Sequence, residues 1–296
     1  MDFDSKCFFV LMACALLAAV CGCDRTGAAF AGERGDGDPI DAKTIARLRS
    51  LGAVVEPFNS SAEFLTVEVH LRNSPACDPP STPWNGTESD LAEIAKLRNV
   101  ACVYMDFPVK NQDSLQFLPR LPQLKVLNDP AACISDDGLR YVAACPSLEE
   151  FSSISAMTDV GLKRLATAPS LRRLKIVSLW RVTDEGLVGI EKLTHLAYLA
   201  IVRSRITHRG VARLKNLVSL TELNLSESLI ADDAVEEFGQ FKNLERLTLH
   251  GTKLSAPACA KLRRALPQCH VETEPEGKKC PGPATLDNPS GGGAKK

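Results

Sequence analysis

The chain has 296 residues, 45% of them hydrophobic and 24% charged, which suits one elongated globular domain with tails. Its formal net charge is −1, and aromatic residues make up only 5% without basic residues interleaved among them. No global field draws such a chain to nucleic acid or to anionic lipid, so nucleic-acid binding is not expected.

The first stretch, Cys7 to Val20, is an uninterrupted apolar run (CFFVLMACALLAAV). It is short for a bilayer span and reads as the apolar region of a secretory signal. The segment before it is weak for that role, because Asp2 and Asp4 offset Lys6. Val20-Cys-Gly-Cys23 resembles the bacterial lipoprotein cleavage motif, which implies a signal peptide over 1–22 and a lipidated Cys23. Cleavage after Ala31 is the rival, since Ala29-Phe-Ala31 also follows the small-x-small rule, and an uncleaved anchor is a third reading. The protein is therefore expected to be exported and anchored in the cell envelope by lipid, with a secreted soluble form as the alternative.

Residues 23–39 are rich in glycine and charge and read as a flexible tether. Residues 40–87 read as an N-terminal cap. Ile45, Leu48 and Leu51 form a helical stripe that stops before Gly52, a C-capping signal. Ala53–Glu56 and Phe64–Val69 are candidate strands around the polar turn Asn59-Ser-Ser61. A helix plus a hairpin would cover the open end of a stacked core. Arg72 to Glu88 holds Pro75, Pro79, Pro80 and Pro83, so it is a long loop and not regular structure.

Residues 88–273 carry an internal repeat, and the rest of the chain is organised around it. Gly138, Gly161, Gly186, Gly210, Ala234 and Ala258 recur every 23–25 residues. An apolar residue precedes each by four: Ile134, Met157, Val182, Ile206, Ile230 and Leu254. Apolar positions one and four places after the small residue keep helical spacing. Positions thirteen and fifteen places after it alternate, as in Leu223-Asn-Leu225 and Leu247-Thr-Leu249, which is strand spacing with one buried face. Each unit is thus a polar cap, a short helix, a turn and a short strand. Only a stack of such units buries the stripe, and Leu199, Leu223 and Leu247 should lie at equivalent depth in it.

The Leu-x-x-Leu-x-Leu core resembles the leucine-rich repeat family. Ile134-Ser-Asp-Asp-Gly-Leu followed by Cys145-Pro-Ser-Leu148 is similar to its cysteine-containing subclass. The resemblance implies an α/β solenoid, a horseshoe with a parallel concave sheet and convex helices, whose usual work is protein recognition. Two positions depart from the family pattern. Ser204, Ser228 and Thr252 stand where an asparagine is expected, so hydroxyls rather than amides should bond the loop backbone. The subclass cysteine is Ala168, Leu193, Leu217 and Phe241 in the later units.

Residues 274–296, a proline-, glycine- and lysine-rich tail, read as disordered. With the leader removed and Cys23 lipidated, seven cysteines remain: Cys77, Cys102, Cys133, Cys145, Cys259, Cys269 and Cys280. No Cys-x-x-Cys occurs among them, so a zinc site is not expected, and a Cys259–Cys269 or Cys133–Cys145 bridge stays open. The acidic pairs Asp136-Asp137 and Asp232-Asp233 recur at helix starts and read as caps, not as acid–base chemistry. His70, His195, His208, His250 and His270 read as surface or turn residues. Nucleophile and phosphate-loop motifs are absent. The chain is read as a non-enzyme without cofactor, metal or small-molecule substrate. The alternatives are an F-box-like ubiquitin-ligase substrate receptor and an enzyme using the 72–88 loop.

Strand alternation places a partner site on the concave face. Ile154, Val177 and Val202 form an apolar column beside Tyr198, rimmed by Arg173, Lys175 and Arg203. These seven residues are the expected protein-binding surface. Glu150 should face Arg173, and Glu222 should face Arg246.

Overall fold

The computed structural model describes residues 39–57, 67–72, 83–131, 134–154, 157–178 and 180–273. The leader over 1–22, Cys23, the tether through Asp38, much of the 72–88 loop, the tail over 274–296, and Cys77, Cys133 and Cys280 lie outside the described residues.

Ten strands form one sheet in unbroken chain order. They are β1 (Val54–Pro57), β2 (Val67–Arg72), β3 (Val100–Asp106), β4 (Val126–Asp129), β5 (Glu150–Ile154), β6 (Arg173–Val177), β7 (Tyr198–Val202), β8 (Glu222–Asn224), β9 (Arg246–Thr248) and β10 (His270–Glu272). β1 and β2 pair antiparallel, and every later pair is parallel. Sequential order with parallel pairing follows from the repeat, because each unit returns the chain to the same side one strand further on. The result is a leucine-rich-repeat solenoid, with the strands inside the curve and the helical segments outside it.

The register stacks identical repeat positions. Leu127, Phe151, Leu174, Leu199, Leu223, Leu247 and Val271 are successive neighbours across the sheet. All seven are buried, with Leu199, Leu223 and Leu247 at equivalent depth. Beneath them lies one continuous apolar core from Leu48 to Val271. A helix, α1 (Pro39–Ser50), precedes β1 and buries Leu48 into that core.

The outer segments are more varied than one helix per unit. Short α-helices occur at α2 (Leu139–Ala143), α3 (Asp159–Leu165), α4 (His208–Arg213), α5 (Val235–Phe238) and α6 (Ala256–Ala265). Glu88–Lys96, Gln112–Arg120 and Asp184–Leu187 are 3₁₀ helices instead. Pro119 removes a donor from the second of these, and Gly189, at φ 100°, ends the run after the third. A 3₁₀ turn rises farther per residue than an α turn, so it spans the outer arc with fewer residues.

Hydroxyls take over the loop bonding. Ser228 Oγ donates to Leu225 O at 2.6 Å and Thr252 Oγ1 to Leu249 O at 2.9 Å. Ser204 Oγ reaches Ile201 O only at 3.5 Å.

The aspartates work differently from the caps expected of them. They bridge units instead of capping their own helices. Asp136, Asp159, Asp184 and Asp232 each accept the backbone N–H and the side-chain hydroxyl of the next unit's Thr158, Thr183, Thr207 and Ser255, all within 2.6–3.0 Å. The hydroxyl then caps its own segment: Thr158, Thr183 and Thr207 accept the N–H groups of Val160, Glu185 and Arg209. The ladder has one gap. His208 stands at the aspartate position and Ala231 at the hydroxyl position, and His208 Nδ1 instead lies 2.8 Å from Asp233 Oδ2.

The rungs explain three of the recurring glycines. A Cβ on Gly161 would lie 2.2 Å from Asp136 Oδ1, one on Gly186 would lie 2.5 Å from Asp159 Oδ1, and one on Gly210 would lie 2.4 Å from Asp184 Oδ1.

The cysteine bridges left open by the sequence are settled by the thiols themselves. Cys145, Cys259 and Cys269 are free thiols, so neither of the two possible bridges forms. Cys145 is buried, and its Sγ lies 3.3 Å from Tyr141 O. Burial pushes that thiol up to about 12. His70 is also not a surface residue. It is buried on the sheet and stacks on Tyr104 with ring centroids 5.4 Å apart.

Candidate functional site

Strands β6 to β10 bound a concavity of about 580 Å³ on the inner face of the sheet. That volume lies in the range of ligand pockets, roughly 300–1,000 Å³. Alternation along each strand explains its lining. Leu174 and Leu199 point into the core, so Arg173, Lys175 and Val177 of β6 and Tyr198, Ala200 and Val202 of β7 point the other way. Ala200 is fully buried and floors the centre, because it is the smallest side chain in its column, between Lys175 and Asn224.

Six of the seven expected partner-binding residues are brought together here. Arg173, Lys175, Val177, Tyr198, Val202 and Arg203 all line the concavity. Ile154 does not, and this is a correction. It is only 8% exposed, although it lies beside Val177 in register. Side chains on the inside of a curved sheet converge, so a β-branched residue there is covered by its neighbours. Ser152 in the same strand is buried as well. The apolar surface is therefore Val177, Val202 and the Tyr198 ring, all half-buried.

The charges of the face are largely matched. Arg173 lies over the Tyr198 ring at 4.4 Å and pairs with Glu150 at 3.5 Å. Arg246 pairs with Glu222 at 3.7 Å and with Glu272 at 3.2 Å. Arg203 Nε donates to Glu227 Oε2 at 2.8 Å.

Arg203 and Glu227 owe their places to backbone geometry. Both follow their strands in the left-handed region, at φ 58° and 53°, and Gly251 repeats the turn at φ 68°. For a residue with a Cβ that conformation costs about 1–2 kcal/mol. Backbone bonds between units hold it: Arg203 N–H donates to Ser226 O, and Glu227 N–H to His250 O.

Sequence reading passed over two site residues. Asn224 and Ser226 also line the concavity, and their spare hydrogen-bonding capacity depends on the turn after β8, which hydropathy does not encode. Among the described residues, no group of three His, Cys, Asp or Glu side chains could hold a metal ion. Among them, too, no helix is long and apolar enough to cross a membrane.

No family model and no curated protein matches the chain. Solved structures do. An internalin C2 from Listeria monocytogenes is similar over 80% of this chain and 93% of its own, with 18% identity and a TM-score of 0.49. An internalin (InlF) from the same organism is similar over 64% of both chains, with 17% identity and a TM-score of 0.41. TLR13, in its complex with ssRNA13, is similar over 64% of this chain and 30% of its own, with 16% identity and a TM-score of 0.42.

Proposed function

We propose that the chain is a non-catalytic protein-interaction module, exported and held at the cell envelope by a lipid on Cys23. Its protein partner docks on the concave face and contacts Arg173, Lys175, Val177, Tyr198, Val202 and Arg203. The observation that carries this reading is the concavity itself, where an arginine-stacked tyrosine and two half-buried valines meet in one depression with a charged rim. Aromatic and arginine anchors in a depression, with polar groups around them, have the composition of interface hot spots.

The test is crosslinking pull-down from the native envelope with tagged full-length chain. Changing Tyr198 and Arg173 to Ala together should leave the melting curve nearly unchanged and abolish the crosslinked complex. A complex that survives at wild-type yield rules out the concave centre and turns attention to the 72–88 loop. Mass spectrometry of the mature protein tests the anchor separately. A diacylglyceryl-modified Cys23 supports it, and a mature chain beginning at Gly32 overturns it.

A further inference from the structure

The charged and the uncharged polar groups of the concavity differ in what they have already bonded. Arg173, Arg203 and Arg246 are each matched to a carboxylate, as given above, and His250 Nε2 lies 3.7 Å from Glu272 Oε2. The uncharged groups around β8 are not used up. Ser226 is 7% exposed, lines the concavity, and its Oγ has no hydrogen-bond partner. Its own N–H donates to Asn224 Oδ1 at 2.9 Å. That bond fixes the Asn224 carboxamide and leaves its Nδ2 as a donor. Thr248 lies beside Asn224 in register and supplies a second hydroxyl on the same lining. Nearly all buried polar groups in folded proteins are hydrogen-bonded, so a buried hydroxyl without a partner inside a depression points to a ligand that completes it.

We propose that the concavity receives an uncharged amide of the partner, from a main-chain peptide or an Asn or Gln side chain, together with an adjacent aliphatic group. This rests on the concave-face reading above. The amide carbonyl accepts from Asn224 Nδ2, and the amide N–H donates to Ser226 Oγ. The aliphatic group rests on Ala200 between Tyr198 and Val202. Charge argues against an ion in the same place. An anion entering over β8 meets Glu222, Glu227 and Glu272, and a cation meets Arg173, Lys175 and Arg203. An ion that pairs with Arg173, Arg203, Arg246 or their carboxylates would have to break pairs already formed, whereas a neutral amide breaks none of them.

Three nearly isosteric probes separate these cases: N-acetyl-leucine methylamide (neutral), N-acetyl-leucinate (anion) and leucine methylamide (cation). Each is titrated into ¹⁵N-labelled full chain in detergent, and the Asn224 side-chain amide and the Tyr198 and Ala200 main-chain signals are followed by NMR. The neutral probe should move all three, with a dissociation constant of about 1 mM for a ligand of this size. Both ions should bind more weakly, and added salt should leave the neutral probe's affinity within about twofold. Ser226→Ala should weaken the neutral probe roughly 5–10-fold, the worth of one hydrogen bond, while Tm holds or rises because no bond is lost in the free protein. Tighter binding by either ion overturns the inference. So does an Ser226→Ala variant that keeps full affinity, or a concavity that no probe perturbs. Each of these leaves docking on the concave face standing, and that reading falls only if the Tyr198 and Arg173 variant keeps its crosslinked partner.

Discussion

Removing one rung of the aspartate ladder should destabilise the stack more than removing the side chain that fills its gap. Asp184→Ala deletes the acceptor of Thr207 N–H, at 2.8 Å, and of Thr207 Oγ1, at 2.7 Å. The loss carries forward, because Thr207 Oγ1 also caps α4 through Arg209 N–H at 3.2 Å. Hydrogen bonds to a charged group contribute roughly 1.5–3 kcal/mol each when buried. Asp184 and Thr207 are only half-buried, and water can re-enter to bond the freed N–H. Two coupled bonds at that exposure should together be worth about 1–3 kcal/mol. His208→Ala removes the residue at the equivalent position one unit later, where only an exposed pair with Asp233 is lost. Exposed pairs are worth at most about 1 kcal/mol. Urea melts of the two variants and of Thr207→Ala measure the difference, with unfolding midpoints compared at constant m. The double variant of Asp184 and Thr207 should lose little more than the worse single, since both delete one device. Equal losses at Asp184 and His208, or a loss at Asp184 below about 0.5 kcal/mol, would refute the ladder as a stabilising element.

Leu223→Ala should cost roughly 2–5 kcal/mol in the same melts, since Leu223 is 1% exposed between Leu199 and Leu247, and a loss below about 0.5 kcal/mol would contradict the register. Asp232 is held below the usual carboxylate range by the backbone N–H of Ser255 and then by its hydroxyl, and Glu88 chiefly by the backbone N–H of Lys110. A depressed folded value stabilises above the ordinary carboxylate range near pH 4 and is lost as pH falls through the folded value, so Asp232→Asn should flatten the acid limb of the stability curve. An acid limb of unchanged slope would count against that rung. Cys145, with its thiol pushed up to about 12 by burial, should escape alkylation by iodoacetamide at neutral pH until the chain unfolds, which peptide mass mapping reads directly.

Most of the fold was legible because a solenoid repeats its evidence on every turn. The spacing of Leu174, Leu199, Leu223 and Leu247 states the register three times over, and the strands pair at those residues. The pairing of Glu150 with Arg173 and of Glu222 with Arg246 followed from the same register. What escaped the sequence depends on curvature and turns. Ile154, Ser152 and Ala200 alternate correctly to the inner face yet are buried there, because inner columns converge. The left-handed turn at Arg203 and Glu227 leaves no hydropathy signal, since neither is the glycine that such a φ favours. His70 was missed for a similar reason: its burial needs the neighbouring Tyr104, which lies 34 residues on and meets it only through strand pairing.

The gap in the ladder bears on how the two faces relate. On the outer face, His208 and Ala231 mark a junction between units that lacks the carboxylate rung present at Thr158, Thr183, Thr207 and Ser255. On the inner face, the same junction joins β7 to β8, the strands that carry Tyr198, Ala200 and Val202 on one side and Asn224 on the other. The sheet is paired there through Tyr198, Leu199 and Ala200, and the core beneath is continuous, so the junction is not a break. A solenoid bends by small rotations between neighbouring units, and each rung on the outer face resists the opening of its own junction. Curvature at the junction without a rung is set by the sheet and the leucine core more than by the ladder.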